Sequence, residues 1–287
     1  MTSALAPPPR DEPAQADGPV PRAARATLNW YALALGMPNV LMQLSNLKVG
    51  HGVAESRVES GRIDKHPLKR LRTTLTYLAV ASHGTAAERV HLRAEINRAH
   101  RQVVSAPDAK VKYNAFDRDL QLWVAACLYK GVEDMINALD LTFTEREWDD
   151  LYRHSARLAT SLQVPPDMWP PTREDFTVYW DARVAAIETD PKTRAFLQDL
   201  AGLAFLPRPL STTLGPLSRF ITTGFLPQEF RDEIGLPWDA RSQRHFDRFV
   251  RLSASVNRRL PRPAREFPFN LYLWDFRRRL RQGRPIV

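Results

Sequence analysis

Among the histidines of this chain, His100 is the candidate for a side chain that binds a metal inside the protein. Apolar residues recur at helical spacing through residues 86–105, and His100 projects within about 40° of Ile96, whereas His91 falls on the opposite side. A buried imidazole needs a hydrogen-bond partner or a metal, because leaving its nitrogens unsatisfied costs about 1–3 kcal/mol. Spacing alone leaves both readings open, and a hydrogen-bonded core histidine is the more common of the two.

A run of basic and hydroxyl side chains lies one predicted helix upstream, at Lys69-Arg70-Leu71-Arg72-Thr73-Thr74. In an all-helical protein with an inward histidine, this combination suits haem. Haem needs an apolar slot between helices, one axial nitrogen, and cations for its propionates or for dioxygen. A basic helix face is more often only a solvated surface, so the run does not decide the question by itself.

Several other chemistries lack their usual motifs in this sequence. There is no Gly-x-Gly-x-x-Gly, Walker-type loop, His-Glu-x-x-His or Gly-x-Ser-x-Gly, the motifs of dinucleotide, nucleotide-phosphate, zincin and serine-hydrolase sites. The single cysteine, Cys127, excludes a disulfide framework within the chain and a cysteine-based zinc or iron–sulfur site.

The apolar periodicity predicts an all-α fold in one domain. The clearest predicted helix runs from Phe116 to Leu139, and a buried helix after Trp30 is expected to break around residues 36–39. Strand signals are nearly absent. We expect residues 1–26, which are rich in Pro and Ala, to form a disordered tail, and residues 27–287 to form the helical domain.

The chain is basic, with a formal net charge of +9. Its arginines are scattered among acidic residues, so we expect no specific nucleic-acid partner. The sequence carries no apolar run of about 18 residues, which predicts a soluble, cytoplasmic protein. The densest basic cluster follows Leu271 and Trp274 and is a candidate for peripheral contact with an anionic membrane; its members are Arg277, Arg278, Arg279, Arg281 and Arg284.

The strings around His100 resemble a known family. His100-Arg-Gln-Val103 is followed by Tyr113-Asn-Ala115-Phe-Asp117 and then by Leu120-x-x-Trp123-Val124-x-Ala126-x-Leu128. This block resembles the haem-containing oxygenases that include latex-clearing protein (rubber oxygenase) and the MpaB-type oxygenases. Upstream and downstream strings extend the likeness over about residues 30–265, which makes an accidental match unlikely.

The resemblance implies an orthogonal helical bundle that encloses a haem-sized apolar pocket, with haem b as the cofactor. His100 corresponds to the axial iron ligand, and Arg70, Tyr113 and Trp123 are the other expected cofactor-binding residues. Arg72 and Thr73, with Lys69 as an accompanying cation, correspond to catalytic groups on the dioxygen side of the haem. The implied partners are dioxygen and a hydrophobic small molecule, and the implied reaction is oxygen insertion or oxidative cleavage of a carbon–carbon double bond.

Two positions depart from the family pattern. Relatives often carry a histidine directly after the Trp-Val pair, where this chain has Ala125, and a glycine where it has Ser105. The alternative function is therefore a non-catalytic haem-binding or lipid-binding helical protein of the same family, since kinship in fold does not fix the reaction.

Overall fold

The computed structural model describes residues 18–55 and 65–286. In these two segments the regular structure is helical, and extended pairing is limited to two isolated bridges, Asn46 with Glu188 and Val104 with Asn114. The predicted all-α class is confirmed. The orthogonal packing and the haem-sized pocket stay predictions.

Three of the N-terminal helices begin at residues that suit a helix start. The Asn46 side chain accepts hydrogen bonds from the backbone N–H groups of Lys48 and Val49, and Thr85 forms a capping box with Glu88. A proline at the first position, which needs no N–H partner, begins the helix between them. These helices are α1 (Arg22–Arg25), α2 (Ala32–Leu44), α3 (Leu47–Ala54), α4 (Pro67–His83) and α5 (Ala86–His100).

The middle of the chain contains the longest helix, α6, which begins after the N-cap Asp117. Thr144 and Glu147 form a second capping box at the start of α7. A 3-10 turn at Pro166–Met168 separates α8 from α9. The helices of this part are α6 (Arg118–Ala138), α7 (Glu145–Ser155), α8 (Arg157–Thr160), α9 (Arg173–Val184) and α10 (Pro191–Ala201).

Prolines separate most of the C-terminal helices. Gly235, with a φ of 75°, ends α12 in the left-handed conformation that glycine adopts without strain. The last helices are α11 (Arg208–Phe225), α12 (Gln228–Ile234), α13 (Ala240–Arg259), α14 (Arg262–Glu266) and α15 (Phe269–Arg281).

The main core lies around α6, which packs against α2. The approach of the two helices is close at Gly131, where an added Cβ would lie 2.6 Å from Nδ2 of Asn39. That amide donates to the carbonyl of Cys127 at 2.5 Å and accepts a hydrogen bond from Gln43. Buried Asn39 is therefore satisfied, and α2 is fixed against α6 by hydrogen bonds as well as by apolar contact.

His51 fixes α3 against α10. Its Nε2 lies 2.8 Å from Oδ2 of Asp190, the N-cap of α10, and its Nδ1 lies 3.2 Å from Oε1 of Glu55. A buried imidazole with a carboxylate at each nitrogen is fully partnered, so this histidine has a structural role.

The structure differs from the sequence prediction at three boundaries. Helix α2 runs unbroken through Pro38, so the predicted break at residues 36–39 is wrong. Helix α5 ends at His100 and not near residue 105, because the chain then turns into the bridge at Val104. Ordered structure begins before residue 27, since α1 buries Ala23 and Ala24 against α7. The expected tail over residues 1–17 lies outside the described residues.

Candidate functional site

The His100 imidazole lies at the last residue of α5. Upstream on this helix, Leu92 is buried in an apolar cluster with Val80 of α4 and Phe276 of α15, while His91 is exposed. After His100 the chain folds back, and the backbone N–H of Val103 donates to the His100 carbonyl at 2.9 Å. The predicted separation of an inward and an outward histidine on this helix is confirmed.

One nitrogen of the His100 ring is buried and has no hydrogen-bond partner in the described residues. Nδ1 has no hydrogen-bond partner in residues 18–55 and 65–286, and the ring meets the Phe116 ring edge-on, with 6.3 Å between centroids. Burial, and then the positive charge of Arg70, lower the pKa of His100 to about 4. The imidazole is therefore neutral at pH 7, and neutral imidazole is the form that ligates metals.

Helix α4 brings its basic run beside His100. The positive charge of Arg70 contributes to the lowered pKa of His100, and burial lowers the pKa of the Arg70 guanidinium itself, although the residue as a whole is exposed. Thr73 uses its hydroxyl to donate to the Arg70 carbonyl at 2.9 Å. Lys69 and Thr73 are four residues apart and share a helix face with Arg70 at its edge, whereas Arg72 points about 160° away from Arg70.

Tyr113 lies on a short extended segment that pairs with the chain leaving α5. The backbone N–H of Ser105 donates to the Tyr113 carbonyl, and the N–H of Ala115 donates to the Val103 carbonyl, both at 2.9 Å. The Tyr113 ring is buried and faces Gly52 of α3, where an added Cβ would lie 3.4 Å from the tyrosine Cδ2. The structure therefore joins Tyr113 to the end of the His100 helix through backbone pairing.

A buried amide network fixes the His100 helix to α6. The Gln163 side chain donates to Oδ1 of Asn97, on the last turn of α5, and accepts from Nε2 of Gln121. The backbone N–H of Gln163 donates to Oε1 of Gln121 at 2.7 Å, and Nε2 of Gln121 also donates to the Ala115 carbonyl at 2.6 Å. Sequence reasoning missed these residues, since a glutamine within an amphipathic pattern does not reveal whether it is buried.

Trp123 belongs to the main core. Its Nε1 donates to the Gln43 carbonyl at 3.0 Å, and its ring stacks on Trp180 and Phe230 with centroid distances of 5.4 and 6.4 Å. These contacts are with α2, α9 and α12, so the structure does not bring Trp123 together with His100 as it does Arg70. Its role in cofactor binding stays a prediction.

Ala125 is fully buried two residues further along α6, among the small side chains of Ala126 and Cys127. The imidazole that relatives often carry at this position would therefore lie inside the protein. Ser105, the other departure, is half-buried at the pairing with Tyr113.

Residues 18–55 and 65–286 contain no group of three or more His, Cys, Asp or Glu side chains placed to hold a metal ion. Among the helices of the same residues, none is both long enough and apolar enough to cross a membrane.

Comparisons with known proteins show similarity over most of the chain. Residues 24–255 match the family model described as the catalytic domain of ER-bound oxygenase mpaB/B' and rubber oxygenase. Two mycobacterial proteins are similar to the chain: Uncharacterized protein Rv2237 of Mycobacterium tuberculosis and Uncharacterized protein Mb2261 of Mycobacterium bovis. Each is 46% identical over 255 residues, which cover 89% of this chain and 100% of the relative. No solved structure matches the chain. The match and the 46% identity establish that this chain belongs to the mpaB/rubber oxygenase catalytic-domain family.

Proposed function

We propose that this protein binds haem b through His100 and oxidises a hydrophobic small molecule with dioxygen. The observation that carries the proposal is the buried, unpartnered Nδ1 of His100 beside the guanidinium of Arg70. Membership of an oxygenase family supports the same assignment.

The residues present fit this cofactor. Haem brings four ring nitrogens of its own, so a single neutral imidazole suffices as the protein ligand. Among the described residues the buried Nδ1 has no hydrogen-bond partner, a condition that costs free energy unless a ligand relieves it. Arg70, whose charge acts on His100 and whose guanidinium is itself desolvated, would pair with a carboxylate such as a haem propionate.

The remaining roles follow from the placement of the side chains. Bound haem would supply the redox and dioxygen chemistry. Lys69 lies near Arg70 on α4, where a cation would favour negative charge that develops on the substrate side. Thr73 would contribute only by giving up the hydrogen bond that its hydroxyl donates to the Arg70 carbonyl. Arg72 is assigned a catalytic role only by the family resemblance. Tyr113 would form part of the wall of the site at the end of α5.

The two reactions in the proposal differ in their electron balance. Cleavage of one carbon–carbon double bond by one molecule of dioxygen gives two carbonyl products and needs no other reductant. Insertion of one oxygen atom needs two electrons and two protons from a separate donor, because the second oxygen leaves as water. Isotopically labelled dioxygen separates them: both labelled atoms enter the products in cleavage, and one does in insertion.

The experiment that tests this function combines haem content with oxygen uptake. Protein produced with added haem precursor is expected to contain a single haem per chain and to consume dioxygen when an apolar alkene, such as methyl oleate, is added. Chain without haem, refolded under the same conditions, is the control. Haem-free protein that consumes the same amount of dioxygen would contradict the proposal.

The alternative is a haem-binding or lipid-binding protein without catalysis. Ala125 favours it, because the imidazole that relatives often carry is replaced here by a fully buried methyl group. Stoichiometric haem without dioxygen uptake across a panel of alkenes would support this alternative over the oxygenase.

A peripheral membrane contact through α15 is a further part of the proposal. Trp274 is 51% exposed and Leu271 46% exposed, and the guanidinium of Arg278 lies 5.4 Å from the Trp274 ring centroid. Exposed aromatic and basic side chains on one helix are typical of contacts with anionic lipid. Flotation with anionic vesicles, but not with neutral ones, is the expected result, and equal flotation with both would contradict the contact.

A further inference from the structure

A cleft of about 410 Å³ lies away from the predicted haem site. It forms where the chain entering α1, the end of α4, α14 and the first half of α15 meet, and its volume is within the range of small-molecule sites. None of the predicted haem-site or catalytic residues lines it. Its lining residues are Val20, Arg25, Leu28, His83, Arg262, Glu266, Asn270, Leu273, Trp274 and Arg277.

The polar part of this cleft carries an excess of positive charge. Three guanidinium groups line it against one carboxylate, that of Glu266. Arg262 is oriented by Glu266 at 2.5 Å, and Arg277 makes a two-pronged contact with Glu88 at 2.7 and 3.2 Å. Two of the three arginines are therefore already oriented by carboxylates.

Arg25 supplies the uncompensated charge. In the described part of the chain its guanidinium pairs with no carboxylate, and it donates to the Val20 carbonyl at 3.1 Å. The three arginines carry three positive charges, and Glu266 and the Glu88 carboxylate that pairs with Arg277 carry two negative ones. The net charge of this group is therefore +1. An anion that enters would find a guanidinium with donors still available, which is the group that best recognises carboxylate and phosphate.

The other part of the cleft is apolar. Leu28 and Leu273 line it, and Trp274 extends the same wall to the protein surface, where the ring is half exposed. A small inorganic anion would leave this wall uncovered. A ligand with an anionic head and a hydrocarbon chain would use both parts, because burying apolar surface contributes about 25 cal/mol for each Å².

His83 lies in the wall of the cleft with unused hydrogen-bonding capacity. Both ring nitrogens are buried and have no hydrogen-bond partner in the part of the chain that the structure describes, since the nearby Ala24 carbonyl does not meet hydrogen-bond geometry with either one. Burial, His154 and the neighbouring arginines lower the pKa of His83 to about 3, so the ring is neutral and adds no charge.

The geometry points to a second binding site, in which this cleft holds a single-chain anionic amphiphile such as a fatty carboxylate or an alkyl phosphate. The anionic head lies by Arg25 and Arg262, and the hydrocarbon chain lies along Leu273 and Trp274. The site does not depend on haem or on the oxidative function proposed above.

Titration calorimetry of the full chain with decanoate below its micelle concentration tests the site. We expect saturable binding of one decanoate per chain, with decanol and acetate each at least about tenfold weaker, since each lacks one half of the recognised ligand. Arg25→Gln and Arg262→Gln should each weaken decanoate binding about tenfold. Arg258→Gln, an exposed arginine of α13 outside the cleft, is the matched control and should bind as the parent does.

A second measurement guards against variants that fold poorly. With 5-fluorotryptophan incorporated, the fluorine resonance of Trp274, assigned from Trp274→Phe, should shift on addition of decanoate while that of core residue Trp123 does not. The site is wrong if decanoate binds no better than decanol, or if the arginine variants bind as tightly as Arg258→Gln. Binding to anionic vesicles without binding to dissolved decanoate would also overturn it and would assign the charge to a surface contact of α15.

Discussion

Gln121 and Gln163 hydrogen bond to each other through both side chain and backbone, and through Asn97 this pair reaches the last turn of the His100 helix. Both glutamines are buried, at 4% and 5% exposure. The last turn of the His100 helix is therefore fixed to α6 by a buried amide network.

Replacing Gln163 by leucine should destabilise the protein. The change leaves Oδ1 of Asn97 without its partner, which costs about 1–3 kcal/mol in the free energy of unfolding, whereas Gln121 keeps the Ala115 carbonyl and the backbone N–H of residue 163 as partners. Urea denaturation measures the loss. Gln102→Leu, at an exposed position just after α5, is the control, and an equal effect of both substitutions would contradict the role of the network.

Asp134→Asn should stabilise the protein at pH 7. Burial raises the pKa of Asp134 from 3.8 to about 6, with Lys130 opposing the shift and Glu133 adding to it. Because the folded pKa lies above the unfolded one, the stabilising contribution is fully present below about pH 4 and is lost as the pH rises through 6. We expect a gain of about 1–2 kcal/mol at pH 7 and little change at pH 4.

Urea denaturation at the two pH values checks this prediction. Glu174→Gln, which removes an exposed carboxylate from α9, is the control for the change in net charge. A gain that is the same at pH 4 and pH 7 would show that the cause is not the titration of Asp134.

Two helical glycines should respond to alanine in opposite directions. At Gly36 of α2 an added Cβ meets nothing within 4 Å, so Gly36→Ala should stabilise by about 0.5–1 kcal/mol. At Gly224 of α11 the same atom would lie 2.2 Å from the Phe246 ring, so Gly224→Ala should destabilise by about 1–3 kcal/mol. Thermal unfolding measures both, and shifts of the same sign would contradict this account of the α11–α13 contact.

Haem affinity should change little between pH 7 and pH 5. The lowered pKa of His100, about 4, means that the imidazole carries no proton that iron must displace in this interval. Haem titrations at several pH values test this, with affinity expected to fall only as the pH approaches 4. A fall centred near 6.5, the ordinary value for histidine, would indicate a ligand other than buried His100.

The sequence predicted elements better than their ends. The apolar stripe of α6 predicts that helix correctly, because its signal repeats within the helix itself. The end of α5 at His100 depends on backbone pairing with residues 113–115, and the unbroken α2 depends on Asn39 bonding to α6. Such long-range contacts leave no local signal.

The same limit applies to the site. The inward position of His100 follows from helical spacing, and its proximity to Arg70 was expected only from the family resemblance. Trp123 shows the reverse case: its string matches the family, yet its contacts are those of a core residue stacked on Trp180. The cleft beside Arg25 joins segments far apart in the chain, so no sequence pattern could predict it.

The most direct test of the central claim is the absorption spectrum of haem-reconstituted protein in three forms: parent, His100→Ala and His91→Ala. His91 is an exposed histidine on the same helix, so its removal controls for the loss of a histidine from α5. We predict a Soret band shifted from that of free haem in the parent and in His91→Ala, and no such shift in His100→Ala. An unchanged spectrum in His100→Ala, or no Soret shift in the parent, would contradict the assignment of His100 as the haem ligand.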